Sequence, residues 1–117
     1  MIRHDNENGS VNISTSVYTD IVGTAASNCM GVKGMAARSV KDGVYHLLRV
    51  ESMGKGVRVE FHEDGSISID LHIMVGDGVN LNAIGNAIID EVRYMVEKCT
   101  GTKVCDVNVF IDSLVIG

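Results

Sequence analysis

Alternation over residues 56–75, GVRVEFHEDGSISIDLHIMV, constrains this chain more than any other feature. Val57, Val59 and Phe61 alternate with Arg58, Glu60 and His62; Ile67, Ile69, Leu71, Ile73 and Val75 alternate with Ser68, Asp70, His72 and Met74. A period of two marks half-buried strands, so the run predicts a β-hairpin with one apolar face. The turn sets its register. A two-residue Asp64-Gly65 loop would place Phe61 opposite outward Ser68, whereas a three-residue Glu63-Asp64-Gly65 loop pairs Phe61 with Ile67, Val59 with Ile69 and Arg58 with Asp70. Only the longer loop keeps one face apolar, because a slip of one residue sends every side chain to the other side. It also gives Gly65 the left-handed position that such loops require. His62 then faces Ser66 and His72 faces Gly56, near opposite ends of the hairpin.

The flanking segments supply helices to cover the apolar face. Residues 1–9 read as a flexible polar tail, and Ser10 to Ile13 as a short strand with Val11 and Ile13 inward. Ser14 is placed to cap a helix running to about Asn28, with Val17, Ile21, Val22, Ala25, Ala26 and Cys29 on its apolar side. Gly31-Val32-Lys33-Gly34 reads as a turn, and Ala36 to Ser52 as a connector with one or two amphipathic turns. Beyond Gly76-Asp77-Gly78, Asn80 caps a longer helix that ends at Gly101. Leu81, Ile84, Ile88, Met95 and Cys99 form one of its apolar stripes, and Gly85, Ile89, Val92 and Val96 another. A last strand, Lys103 to Ile111, points Cys105, Val107, Val109 and Ile111 inward and Asp106, Asn108 and Phe110 outward. The order strand, helix, connector, strand, strand, helix, strand predicts an α+β fold. Two helices pack on one face of a small mixed sheet, a KH-like or ring-building-motif-like two-layer sandwich. At 117 residues, 10–117 form a single domain.

No stretch approaches the roughly 18 apolar residues that span a bilayer, and the polar start lacks the apolar run of a signal peptide. A cytoplasmic protein is expected, with Cys29, Cys99 and Cys105 as free thiols on core faces. The net charge of −5 opposes a nucleic-acid partner, whose affinity rests on Lys and Arg. Charge is unevenly spread, however. Between Lys33 and Arg58, six basic residues (Lys33, Arg38, Lys41, Arg49, Lys55 and Arg58) meet only Asp42 and Glu51. These six are the candidate interface.

Motifs for chemistry are sparse. There is no C-x-x-C, H-E-x-x-H or acidic calcium loop, so no metal is expected, and no cofactor-binding motif stands out. Gly76-Asp77-Gly78 lacks a phosphate-loop lysine, and Asp77 would repel phosphate. No serine elbow appears, and the acids are scattered, so no catalytic residue is assigned and an enzyme is not expected. Gly31 to Gly34 has the G-x-x-G form that clamps nucleic acid in KH domains, the alternative reading for this chain.

Several stretches together resemble the alkaline shock protein family, the cell-envelope stress response proteins of Gram-positive bacteria. They are the opening V-N-I-S, Gly31-Val32-Lys33-Gly34-Met35, D-G-V-Y-H-L-L from Asp42 to Leu48, K-G-V-R-V-E, and C-T-G-T-K-V-C-D-V-N-V from Cys99 to Val109. The last is similar to the family's T-G-x-x-V-x-x-V-N-V signature. The resemblance implies a cytoplasmic, non-enzymatic protein that self-associates and is held at the membrane by a small anchoring partner, without inserting itself. Related members act in fatty-acid metabolism, which leaves a regulatory adaptor of that pathway as a second role. Charge suggests how copies meet: the basic segment of one against Asp90, Glu91, Glu97 and Asp106 of the next, with an apolar contact around outward Met74 and Phe110 as the alternative.

Overall fold

The computed structural model describes residues 2–29, 31–38, 45–47 and 56–116. Strand β6 (Ile67–Gly76) lies at its centre, because β6 is bonded along both edges. On one edge β5 (Val57–Phe61) pairs antiparallel with residues 67–71, and β3 (Val32–Arg38) with residues 73–75. β7 (Val104–Val115) runs parallel along the whole of the other edge, and β4 (Tyr45–Leu47) extends the sheet beyond β3. The sheet is therefore mixed. Its register on β5 is the one the three-residue loop requires: Phe61↔Ile67, Val59↔Ile69, Arg58↔Asp70.

Helices α1 (Thr15–Ser27) and α2 (Leu81–Thr100) cover one face of this sheet, giving the expected α+β layers. Ile67, Ile69, Leu71, Ile73 and Val75 are wholly buried, and Ile84, Ile88, Val92 and Val96 of α2 form the four-residue ridge in the same core. Burying five such strand side chains is worth about 1.5–3 kcal/mol each before chain entropy is counted. α2 begins and ends as its capping residues dictate. The Asn80 side chain accepts from the Ala83 amide at 3.0 Å, and Gly101 turns left-handed at φ 72°.

Tyr18 ties the two helices to the sheet. Fully buried, it meets Phe61 edge-on at 5.8 Å, and its hydroxyl bonds Thr102 Oγ1 at 2.7 Å, beside the end of α2. That bond satisfies two buried polar groups with each other. Tyr18 takes the inward place expected for Val17, which is exposed: Tyr18 lies four residues before Val22 and so on the same side as Val22, Ala25 and Ala26, whereas Val17 falls about 100° away from it.

Several other expectations are corrected. Residues 2–6 are not a tail but strand β1 (Ile2–Asn6), paired antiparallel with β2 (Gly9–Ile13) in a separate two-stranded sheet. Because this hairpin is not part of the main sheet, Val11 is 56% exposed and Ile13 only half-buried. Ser14 precedes α1 without a side-chain cap; its hydroxyl instead bonds Ser16 Oγ at 3.0 Å. Residues 36–38 and 45–47 of the presumed helical connector are strand, because β3 runs on past its pairing with β6 and pairs antiparallel with β4 as Ala36↔Leu47, Ala37↔His46 and Arg38↔Tyr45. Leu81 and Cys99 lie outside the buried ridge of α2, near its two ends, and are exposed.

The turn at residues 63–65 is braced by Asp64. Its Oδ1 accepts from the Ser66 amide at 3.0 Å and from the Ser66 hydroxyl at 2.6 Å, an Asx-type turn. Gly65 has φ +87°, and nothing lies within 4 Å of where a Cβ would stand. Gly65→Val is therefore strained by its backbone alone and should destabilise the domain by about 1–2 kcal/mol in chemical denaturation. Ser66→Ala should lose about 1 kcal/mol, because this buried hydroxyl donates to Asp64 and accepts from the Cys105 thiol at 2.9 Å.

The two bonds from Ser66, side chain first and then backbone, hold the Asp64 carboxyl below its ordinary value of 3.8. A carboxylate lowered by folding contributes stability above its unfolded value and loses it as pH falls through the lower folded value. Wild type should therefore exceed Asp64→Ala most clearly above pH 4 in denaturation midpoints, and the gap should narrow in stronger acid.

Candidate functional site

With both helices on one side of the sheet, the polar residues of β5, β6 and β7 are gathered on the other. Period-two alternation puts Arg58, Glu60 and His62, then Ser68, Asp70 and His72, on this outer face, joined by Asp106, Asn108 and Phe110 of β7. Three clusters cross it. His62 Nε2 lies 2.7 Å from Ser68 Oγ, whose hydroxyl points at Asp106 Oδ2 3.5 Å away. Asn108 Nδ2 donates to Asp70 Oδ1 at 2.9 Å. His72 stacks on Phe110 with centroids 4.8 Å apart and planes 15° from parallel, and its Nδ1 meets Asp112 Oδ2 at 2.8 Å.

Two bulges in β7 shape this face. Ile67 pairs with Val104 but Ser68 with Asp106, so Cys105 is an extra residue; Ile73 pairs with Ile111 but Met74 with Ser113, so Asp112 is another. The first bulge keeps Val104 and Val107 both buried and turns Cys105 out, against the alternation expected for it. The second brings Asp112 within reach of His72. Met74, expected outward, is only 8% exposed, flanked by Gly34 of β3 and Ser113 of β7 on the two sides of the central strand. Phe110 remains 45% exposed.

His62 Nε2 and the Ser68 hydroxyl, 2.7 Å apart, have the spacing of a base and a nucleophile, and Asp106 Oδ2 stands 3.5 Å beyond the same hydroxyl. Among the described residues, no three His, Cys, Asp or Glu side chains come together to hold a metal ion. A groove of about 330 Å³ lined by Val79, Asn80, Ala83, Ile84 and Ala87 lies on the helical side, away from these polar groups.

Three of the six candidate interface residues fall within the described residues. Lys33 and Arg38 belong to β3, Arg58 is on β5 across from Asp70, and Lys41, Arg49 and Lys55 lie outside the described residues. The acids are divided too. Asp90, Glu91 and Glu97 are on α2, and a Glu97 carboxylate oxygen accepts from the Val104 amide at 3.0 Å, while Asp106 is on the far side of the sheet. Gly31 to Gly34 is not a free loop. Gly31 turns at φ 92°, but β3 starts at Val32 and Gly34 pairs with Met74, with Lys33 as the extra residue of a bulge. The His72–Phe110 stack was hidden from sequence reasoning because it joins residues 38 apart across a parallel pair.

A family model described as cell envelope-related, that of alkaline shock protein 23, matches residues 3–116. YloU of Bacillus subtilis (strain 168), an uncharacterized protein, is 33% identical over 107 residues, covering 91% of this chain and 88% of that protein. Spy1614 of Streptococcus pyogenes serotype M6, also uncharacterized, is 31% identical over 114 residues, or 97% and 93% of the two chains. No solved structure matches.

Cysteine placement gives a direct check on these contacts. Burial, with Glu91 nearby, raises the Cys29 thiol above its ordinary value, and the thiol points at the Ala25 carbonyl at 3.5 Å. Cys99 and Cys105 are exposed. Alkylation at neutral pH followed by mass spectrometry should modify Cys99 and Cys105 well before Cys29, since the thiolate is the reacting form.

Proposed function

The chain belongs to the alkaline shock protein 23 family, a family of cell envelope-related function, and from that premise we propose that it is a non-enzymatic scaffold or adaptor in the envelope stress response. It works by protein–protein contact, including contact with further copies of itself. The observation that carries this reading is the outer face of the sheet, where no described helix packs and Phe110, His72 and a row of carboxylates stand ready for a partner. In this reading the domain works on the cytoplasmic side of the membrane through a small anchoring partner. No helix among the described residues is long and apolar enough to cross a membrane.

Sedimentation velocity tests the self-association. Association should rise with protein concentration and weaken with salt, as the Debye length falls from about 10 Å at 0.1 M to about 3 Å at 1 M. A monomer at low salt and high concentration would overturn the scaffold reading. Electrophoretic shift against mixed RNA and single-stranded DNA should show no complex; tight, salt-sensitive binding weakened by Lys33→Glu would replace the reading with nucleic-acid recognition.

A further inference from the structure

The two helices leave a seam on the side of their layer turned away from the sheet. They run antiparallel. Tyr18 near the start of α1 bonds Thr102 just past the end of α2, and Gly31, beyond α1, lies so close to Ile84 near the start of α2 that an added Cβ would meet its Cδ1 at 2.6 Å. Along α2, Ala83, Ala87, Glu91 and Met95 recur every four positions and so form one line beside the buried ridge. Val17, Ile21 and Thr24 recur at four and three on α1. Two hollows lie along the α2 line: the one of about 330 Å³ at Val79, Ala83 and Ala87, and another of about 240 Å³ between Asp20, Ile21 and Thr24 of α1 and Met95 of α2.

The lining is small or apolar, and its edge is acidic. Glu91 bears on the Cys29 thiol, which places it on the α1 side of α2, between the two hollows. Asp20 and Glu91 are exposed, and neither has an ion pair with a described residue. Lys98, past Met95, stands over the Tyr94 ring at 5.4 Å. Such a seam suits an apolar ligand with cationic flanks. A helix fits it better than an extended strand, because a helix bonds its own backbone, whereas a strand laid on two helices finds no edge to pair with. Its ridges also match the spacing of the helices on either side. From Asn80 to Met95, α2 rises roughly 22 Å, the length of about fifteen helical residues.

We propose that the seam of α1 and α2 receives an amphipathic helix of another protein, its apolar stripe against Ile21, Ala83, Ala87 and Met95 and its Lys or Arg flanks facing Asp20 and Glu91. This rests on the adaptor reading and deepens it. With the sheet face on the opposite side, the domain has two surfaces that can be occupied at once, as an adaptor requires.

The probe is a helical peptide of about fifteen residues, with leucines spaced three and four apart and lysines on both sides of them, titrated into the isotope-labelled full chain and followed by NMR. Amide shifts should move along residues 17–24 and 83–95 and not on β5, β6 or β7. Ala87→Arg, at an exposed position, should weaken the peptide about tenfold or more by filling the seam and repelling lysine, with the circular dichroism of the fold unchanged. Asp20→Asn with Glu91→Gln should weaken it about three- to tenfold and flatten its salt dependence. Shifts that fall on the sheet face, or equal affinity for a scrambled peptide of the same composition, would overturn the seam as the site and leave the adaptor reading in place. A chain that binds the peptide in the seam yet sediments as a monomer at every concentration keeps the site and removes self-association. If Ala87→Arg abolishes the protein's association with itself, the occupant is a second copy and the partner helix is wrong.

Discussion

The structure depends on β6 being saturated. Its backbone is bonded on both edges, and five of its side chains are fully buried beneath two helices. A strand so placed leaves little choice to its neighbours. β5 must pair in the register that buries Val59 with Ile69, β3 must continue the edge that β5 leaves at Leu71, and α2 must span the length of the sheet to return the chain as a parallel strand. A parallel neighbour needs such a crossover, and α2, twenty residues or about 30 Å, provides it.

What the sequence disclosed follows the range of the interaction. The hairpin register, the Asn80 cap and the Gly101 terminus are local, set by residues a few positions apart, and all three could be read directly. β3 and β4 were obscure because residues 36–52 alternate weakly, and the strands at 36–38 and 45–47 come from the pairing of these two short segments with each other. Tyr18 was obscure because its hydroxyl finds its partner 84 residues away. The outer face was half legible. Its residues on β5, β6 and β7 could be assigned by alternation, but the bulges that expose Cys105 and deliver Asp112 to His72 change the period by one residue, and no pattern in β7 marks where.

The two sides of the sheet divide the molecule's tasks. On the helical side the buried hydroxyls of Tyr18 and Thr102 satisfy each other, and at the turn the buried Ser66 hydroxyl donates to the exposed Asp64 carboxylate. On the outer side polar groups pair across strands, Asn108 with Asp70 in the open and a half-exposed His72 with an Asp112 carboxylate that is mostly covered. Pairing of this kind orients the side chains before any partner arrives, which lowers the entropy lost on contact. Family membership supplies the setting, the cell envelope, and the geometry supplies a polar sheet face that no described helix covers.

The bulges of β7 bear on one more property. β7 pairs with β6 alone among the described strands, so twelve residues of backbone form an outer edge, the feature that lets β proteins stack into fibrils. Interruptions at Cys105 and Asp112 break that edge into runs with mismatched spacing, and a straight strand from another molecule cannot bond along all of it. The protein thereby resists amyloid-like stacking along this edge.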